Sequence, residues 1–278
     1  MSAHILAHLD AADPVLGGLI RAVGPCALAA QADCQPFRAL ARAIAHQQLN
    51  GTAANTILQR FIDGCGAGAF PTPQLVLAAP EQSLRAAGFS VAKVAALRDL
   101  AHKSLTAMIP AGPALLALAD EEIIACLTQV RGIGRWTVEM MLMFELGRPD
   151  VLPVDDFGVR SGFRAAYGLK RLPRPQVLAA WGERWRPYRS TAAWYLWRAL
   201  ELERAGRLPP PAERVRLPRV RRRRRRAAAG ARRRAPPRSA PRRLRRGASS
   251  SAPPRRAGGR SGSRRRRAPR SRAPASRR

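Results

Sequence analysis

Cysteine is scarce in this sequence of 278 residues, and its four positions are widely and irregularly spaced. No two of them form a CxxC pair, and together they do not resemble a disulfide framework. We therefore predict that they are reduced and mostly buried, in an intracellular protein. The four are Cys26, Cys34, Cys65 and Cys126.

Long apolar runs are also missing. Three acids at positions 120–122 interrupt the best candidate, and no run approaches the roughly 18 apolar residues that a membrane helix needs. The first 30 residues lack the basic start of a signal peptide. We therefore predict no membrane partner.

Acidic residues are absent from the C-terminal end. All 18 Asp and Glu lie in residues 1–214 beside 23 Lys and Arg, whereas residues 215–278 hold 27 Arg and no acid. We predict one folded domain over 1–214 and a disordered Arg/Pro/Ala-rich tail over 215–278, because the tail has almost no large apolar side chains to bury. The tail is either a DNA-binding arm held by phosphate contacts or a fortuitous extension, and its composition leaves both open.

Convincing β alternation is absent, which predicts an all-α fold. Apolar residues recur at helical spacing in segments separated by short loops. This body is long enough for one domain with a substantial core, or for two closely packed lobes. The predicted helical segments are 36–61, 78–87, 92–108, 120–130, 136–146, 157–167, 176–184 and 190–203.

Two glycines, Gly132 and Gly134, lie one residue apart between two predicted helices. Glycine permits positive φ and close approach of a ligand, and the amides at a helix N-terminus carry partial positive charge. The turn can therefore hold a phosphate, with Ile133 packed inward and Arg131 and Arg135 adding cationic reach. An ordinary turn between two helices would use the same glycines, so this motif alone does not distinguish a phosphate-binding turn from an ordinary one.

Two adjacent acids, Asp155 and Asp156, follow an apolar loop with two prolines and open the next predicted helix. One of them suffices as a helix N-cap. The other would lie beside the helix N-terminus, where backbone amides keep a carboxylate ionised. A lasting negative charge that faces a cleft suits a reaction in which positive charge develops.

All five tryptophans lie between residues 136 and 197, although aromatic residues are only 5% of the chain. We predict that Trp181, Trp185 and Trp194 belong to the core. Trp136 differs because it follows the glycine turn, where its electron-rich ring could stack on a flipped, cationic base.

Four segments together resemble a known family. VRGIGRWTVEMMLMF (130–144) and LPVDDFGVRSGF (152–163) resemble the helix-hairpin-helix DNA glycosylase superfamily, in particular its DNA-3-methyladenine glycosylase II branch. AHQQLN (45–50) is similar to an early turn of that branch, and ERWRPYRS (183–190) to a late block. The segments occur in the expected order over roughly residues 15–205, and their combination is far more specific than any one of them.

The resemblance implies a two-lobed helix-hairpin-helix fold and a role for particular residues. Asp156 takes the position of the catalytic carboxylate, which leaves Asp155 as a loop neighbour or cap. Gln48 matches the side chain that enters the gap left by the flipped base. The base pocket would use Trp136, Phe157 and Trp197, and the DNA-binding hairpin Arg131, Gly132, Gly134 and Arg135, with a monovalent cation held by the hairpin carbonyls.

Two differences from other members of the superfamily restrict the reactions and cofactors expected of this chain. Relatives that also cleave the strand carry a lysine where this chain has Trp136, so no amine is available there for a Schiff base. The endonuclease III branch ends in four cysteines that bind an iron–sulfur cluster, and this chain has no cysteine after Cys126. We therefore expect neither strand cleavage nor a cluster.

These features predict a monofunctional DNA glycosylase that hydrolyses the N-glycosidic bond of alkylated bases, of the 3-methyladenine type, in base excision repair. Its partner would be double-stranded DNA. The resemblance also implies a monomer in the bacterial cytoplasm, associated with the nucleoid. Two alternatives stay open: a glycosylase for a mismatched or deaminated base, and a DNA-binding protein without catalysis. The preferred damaged base is not evident from the sequence.

Overall fold

The computed structural model describes residues 3–29, 35–210 and 217–218. Within them the fold is all-α, as predicted, and has no strand. No helix in these ranges is long and apolar enough to cross a membrane. The boundary predicted at residue 214, the Arg-rich tail apart from residues 217–218, and Cys34 lie outside the described residues. The helices are α1 (Ala3–Ala12), α2 (Pro14–Val23), α3 (Pro36–His46), α4 (Gly51–Gly66), α5 (Pro73–Ala78), α6 (Glu81–Ala86), α7 (Val91–Leu105), α8 (Gly112–Leu116), α9 (Asp120–Leu127), α10 (Arg135–Phe144), α11 (Phe157–Ala166), α12 (Pro175–Gly182) and α13 (Arg189–Arg204), with a 3₁₀ turn at Glu183–Trp185.

The two ends of the described chain meet in one lobe. Helix α2 packs against α11 and α13, and α1 packs against α2 and the 3₁₀ turn, whereas α3, α5 and α6 pack against α7, and α10 contacts α9 and α3. Neither α1 nor α2 was among the predicted helices. Their apolar faces are short, and the residues that cover them come from the other end of the sequence.

A buried carboxylate joins these ends. Asp13 caps α2 by accepting from the Val15 backbone N–H, and its Oδ2 accepts from the Tyr167 hydroxyl at 2.5 Å and from Trp181 Nε1 and Trp185 Nε1 at 2.9 and 3.0 Å. Burial, with this neighbouring carboxylate, raises the pKa of Tyr167 well above its ordinary value, so the phenol stays a donor. Trp181 and Trp185 are buried, as predicted, and each indole N–H has its partner here.

The predicted segment 36–61 is two helices rather than one. The chain breaks at residues 47–50, where Gln48 has φ +57° and Asn50 caps α4 by accepting from the Ala53 backbone N–H at 2.9 Å. Periodicity alone missed this break because the apolar spacing continues across it. The remaining predicted ends lie within three residues of the observed ones, and α5 and α8 were not predicted.

Two glycines of α11 face α13 at close range, Gly162 against its backbone and Gly158 against the indole of Trp197. A Cβ atom on Gly162 would lie 1.8 Å from the carbonyl oxygen of Leu196, and one on Gly158 would lie 2.7 Å from Cδ1 of Trp197. Real Cβ atoms do not come this close to other atoms. The lobe therefore requires glycine at both positions, and the approach sets where Trp197 lies.

Gly162→Ala should lower the free energy of unfolding by about 3 kcal/mol or more, because the added methyl group meets backbone that cannot move aside. Gly64→Ala is the matched control, since Gly64 is exposed in α4 with open space around it and the change should stabilise by about 0.5–1 kcal/mol. Urea unfolding followed by circular dichroism measures both. Equal unfolding midpoints for Gly162→Ala and the unmodified protein would contradict the packing described here.

Candidate active site

The carboxylate of Asp156 lies at the N-terminus of α11 and accepts three hydrogen bonds. Its Oδ1 accepts from the Val159 backbone N–H at 2.7 Å and from Trp197 Nε1 at 2.9 Å, and its Oδ2 accepts from Trp136 Nε1 at 2.7 Å. The donors belong to α11, α13 and α10, so this one group joins three helices. Asp155 is an exposed loop neighbour, and the alternative that it is the cap is wrong, since Asp156 makes the capping bond.

The loop that precedes α11 is tied to the start of α13. Arg189 Nε pairs with Asp150 Oδ1 at 2.7 Å, and its Nη2 donates to the Asp150 carbonyl at 2.8 Å. The hydroxyl of Ser190, which is fully buried, accepts from the Val151 backbone N–H at 2.9 Å. The late block ERWRPYRS therefore has a structural role, because it holds the loop that leads to the two acids.

A cleft of about 390 Å³ opens between α3 and α10. Trp136, Met140 and Phe144 form its wall on α10, because residues four apart lie on the same face of a helix. The Trp136 side chain therefore lines the cleft and also donates to Asp156. The other lining residues are Ala39, Leu40, Arg42, Ala43, His46, Gln47, Gln48, Thr137, Met141 and Glu145.

The aromatic residues near the cleft differ in part from the predicted set. Trp136 lines it, half exposed, whereas Trp197 lies behind it with its ring stacked on Phe144, the centroids 5.8 Å apart. Phe157, the first residue of α11, is 68% exposed and is not among the described residues that line the cleft. Sequence reasoning overlooked Phe144, although its place eight residues after Trp136 was a usable signal.

The turn between α9 and α10 has the predicted local geometry. Gly132 has φ +76°, which favours glycine, and Gly134 is the N-cap of α10, so the first amides of that helix are left to outside partners. Ile133 is buried, as expected. Arg131 is exposed and has no ion-pair partner among the described residues, so its predicted phosphate contact is compatible with its position.

A carboxylate on α7 anchors this turn. Asp99 Oδ2 accepts from the Arg131 backbone N–H and from Lys103 Nζ, each at 2.7 Å, and Lys103 Nζ also donates to the Gln129 carbonyl at 2.7 Å. Partial burial alone would raise the pKa of Asp99, but these two hydrogen bonds lower it below its ordinary value. Sequence reasoning missed this pair, because an acid and a lysine four residues apart are common on exposed helix faces.

Arg135 has partners that the sequence did not predict. Its guanidinium pairs with Glu121 through two hydrogen bonds, of 2.5 and 2.9 Å, and with Glu139 at 2.9 Å. These bonds raise the pKa of Arg135 further, while burial raises the pKa of Glu139 against the effect of its arginine. The cation is thus engaged within the protein, and the predicted contact of Arg135 with DNA stays a prediction.

The turn after α3 presents Gln48 at the surface. Gln48 is exposed and has φ +57°, a left-handed conformation that is unusual for a residue with a Cβ atom. Its neighbour Gln47 reaches across to the other turn, where its Nε2 donates to the Gly132 carbonyl at 2.8 Å. The structure therefore brings the predicted wedge residue and the predicted phosphate-binding turn into one connected region.

The predicted monovalent cation would need backbone carbonyls of the hairpin as ligands. Four of these already accept a hydrogen bond: Gln129 from Lys103, Gly132 from Gln47, and Val130 and Gly134 from the backbone N–H groups of Ile133 and Thr137. Within the described residues, no group of three or more His, Cys, Asp or Glu could hold a metal ion. A monovalent cation would therefore have to use the other carbonyls of the turn, and it stays a prediction.

A model of the HhH-GPD superfamily, described as a base excision DNA repair protein, matches residues 41–187. The chain is 41% identical over 168 residues to DNA-3-methyladenine glycosylase 1 of Schizosaccharomyces pombe, covering 60% of this chain and 74% of that protein. The matched family range includes both turns, Asp156 and all the residues named as lining the cleft except Ala39 and Leu40.

Two solved structures are similar. A 3-methyladenine DNA glycosylase of Schizosaccharomyces pombe in complex with abasic DNA has a TM-score of 0.63 and 37% identity, covering 70% of this chain and 96% of that one. A DNA-3-methyladenine glycosidase of Bacillus halodurans has a TM-score of 0.66 and 31% identity, covering 72% and 91%.

The indole N–H of Trp197 should contribute to stability through the Asp156 carboxylate, not through packing alone. A double-mutant cycle of Trp197→Phe and Asp156→Ala should give a coupling energy of about 1.5 kcal/mol, typical of a hydrogen bond to a charged group. Urea unfolding of the four proteins measures it. Additive effects of the two substitutions would show that the bond does not stabilise the fold.

Proposed function

Because the chain belongs to the HhH-GPD superfamily of base excision DNA repair proteins, we propose that it is a DNA-3-methyladenine glycosylase. In this proposal it is monofunctional and hydrolyses the N-glycosidic bond of alkylated bases in double-stranded DNA, with Asp156 as the catalytic carboxylate.

The carboxylate of Asp156 carries this proposal. Its three N–H donors, from Val159, Trp136 and Trp197, hold both carboxylate oxygens in a fixed orientation. A carboxylate has about four acceptor positions, so roughly one remains for a water molecule. Asp156 is thus held in one orientation and keeps one position for contact with a water molecule.

Hydrolysis of a glycosidic bond passes through an oxocarbenium-like sugar cation. In the proposed mechanism Asp156 stabilises that cation and orients the water that attacks the anomeric carbon. A base alkylated at a ring nitrogen is already positively charged and leaves as a neutral molecule, so little acid catalysis is needed. This fits a site whose central group is an anion.

The cleft between α3 and α10 would receive the extruded base. Its Trp136 and Phe144 rings attract a cationic base more strongly than a neutral one. Trp197 would support the pocket from behind through its stacking on Phe144. Phe157, exposed beside Asp156, is proposed to contact the substrate outside the cleft.

The two turns would hold the duplex. In the proposal the hairpin around Gly132 and Gly134 binds a phosphate beside the lesion, with Arg131 and Arg135 nearby, and Gln48 enters the gap left by the base. DNA is therefore the partner, and the relative from Schizosaccharomyces pombe is itself seen in complex with abasic DNA. We further propose that the protein acts as a monomer at the bacterial nucleoid, with a monovalent cation at the hairpin and no iron–sulfur cluster.

Asp156→Asn should lower the single-turnover rate of base release by about 10²- to 10³-fold, because it removes the charge that stabilises the sugar cation. Affinity for DNA with an abasic-site analogue should change little. The assay measures free bases released from duplexes that carry 3-methyladenine, 7-methylguanine, 1-methyladenine, hypoxanthine or ethenoadenine.

Asp155→Asn is the control, since Asp155 is the exposed neighbour of the same residue type. It should keep nearly full activity. Loss of activity in Asp155→Asn with retention in Asp156→Asn would reverse the assignment. An unmodified protein that binds these duplexes but releases no base from any of them would favour a DNA-binding protein without catalysis.

The product should be an abasic site in an intact strand. None of the described residues that line the cleft is a lysine, and Trp136 occupies the position of the amine in strand-cleaving relatives. Borohydride added during turnover should therefore trap no covalent protein–DNA adduct on a denaturing gel. A trapped adduct, or strand breaks without added alkali, would contradict monofunctional chemistry.

A further inference from the structure

The turn after α3 and the hairpin before α10 are joined by one side chain. Gln47 Nε2 donates to the Gly132 carbonyl at 2.8 Å, across 85 positions of sequence. Gln47 immediately precedes Gln48, and Gly132 lies in the hairpin. The bond thus connects the turn that carries the proposed wedge to the turn that carries the proposed phosphate site.

Both turns rest on the same helix. On α7, Lys93 Nζ donates to the Ala45 carbonyl at the end of α3 at 2.9 Å, while Asp99 accepts from the Arg131 backbone N–H at 2.7 Å. Gln47 adds a third hydrogen bond, directly between the two turns. The relative position of the turns is therefore held by three hydrogen bonds, two to α7 and one between the turns.

Gln48 is in an unfavourable backbone conformation that its neighbours maintain. Its φ of +57° is rarely adopted by residues with a Cβ atom, and such conformations persist where the surroundings determine them. The Leu49 backbone N–H donates to the His46 carbonyl at 3.2 Å, and Asn50 caps α4. The Gln47 backbone N–H donates to the Ala43 carbonyl at 3.2 Å, and its side chain ties the turn to Gly132.

We propose that Gln47 is a positioning residue for base extrusion, in addition to the residues assigned above. It holds the Gln48 turn at a constant distance from the hairpin, so that the grip on a phosphate and the insertion of the wedge act on the duplex as one rigid unit. This inference rests on the proposed glycosylase function. It assigns Gln47 to the extrusion of a paired base and not to the hydrolysis step, because Gln47 makes its bond to the hairpin and not to Asp156.

Gln47→Met keeps the length of the side chain and removes the amide donor, and Gln47→Glu adds repulsion against the Gly132 carbonyl. On a duplex with the lesion opposite its normal partner, the single-turnover rate of base release should fall roughly five- to tenfold for Gln47→Met, the effect of one lost hydrogen bond, and further for Gln47→Glu. With the same lesion opposite an abasic-site analogue, where little extrusion work is needed, the rates should approach that of the unmodified protein.

Gln59→Met is the matched control: Gln59 is an exposed glutamine of α4 whose side chain donates to Asp63 Oδ1, on the same helix, at 2.9 Å. It should leave both rates unchanged. Equal losses for Gln47→Met on paired and unpaired lesions, or no loss on the paired lesion, would overturn the inference, as would a Gln47→Glu rate at or above that of Gln47→Met. Failure of the unmodified protein to release any base would instead refute the proposed function, so the two failures are distinguishable.

Discussion

The contact between the backbones of α11 and α13 is the constraint on which the site depends. Gly162 lets the two helices meet at the Leu196 carbonyl, and Gly158 makes room for the indole of Trp197. At this separation Trp197 Nε1 donates to Oδ1 of Asp156. Trp136 Nε1, from α10, donates to Oδ2 of the same carboxylate. The orientation of the Asp156 carboxylate thus depends on the two glycines of α11, the helix that Asp156 caps.

The groups that bind the Asp156 carboxylate differ from those that bind the charged side chains of the hairpin. Arg135, the residue before Trp136, is paired with Glu121 and Glu139. The described donors to Asp156 are all neutral N–H groups, which orient the carboxylate without adding a positive charge beside it. Asp13 follows the same pattern in the core, where its Oδ2 accepts from one phenol and two indoles. In the proposed mechanism this difference matters, because a carboxylate already neutralised by arginine would stabilise a sugar cation less well.

Much of the local structure could be predicted because it depends on neighbours in sequence. Helical spacing identified most helices, Gly132 adopts the positive φ expected of the turn, and the burial of Trp181 and Trp185 is confirmed. The break before α4 was harder, since it depends on Gln48 holding an unfavourable conformation. Phe144 was overlooked because a long apolar residue near a helix end is usually core, and only its exposure to the cleft sets it apart.

By itself, the sequence determined the all-α class, the glycine turn, the pair of acids and the resemblance of the ordered motifs to a glycosylase superfamily, since each is a short-range pattern of residue types. It could not decide which partner each side chain has. That Asp156 and not Asp155 caps α11, that Arg135 is engaged by two glutamates, and that Gln47 spans the two turns are outcomes of the tertiary structure. The physical reason is that hydrogen bonds and ion pairs act over about 3 Å, and only the packing of distant helices brings these groups within that range.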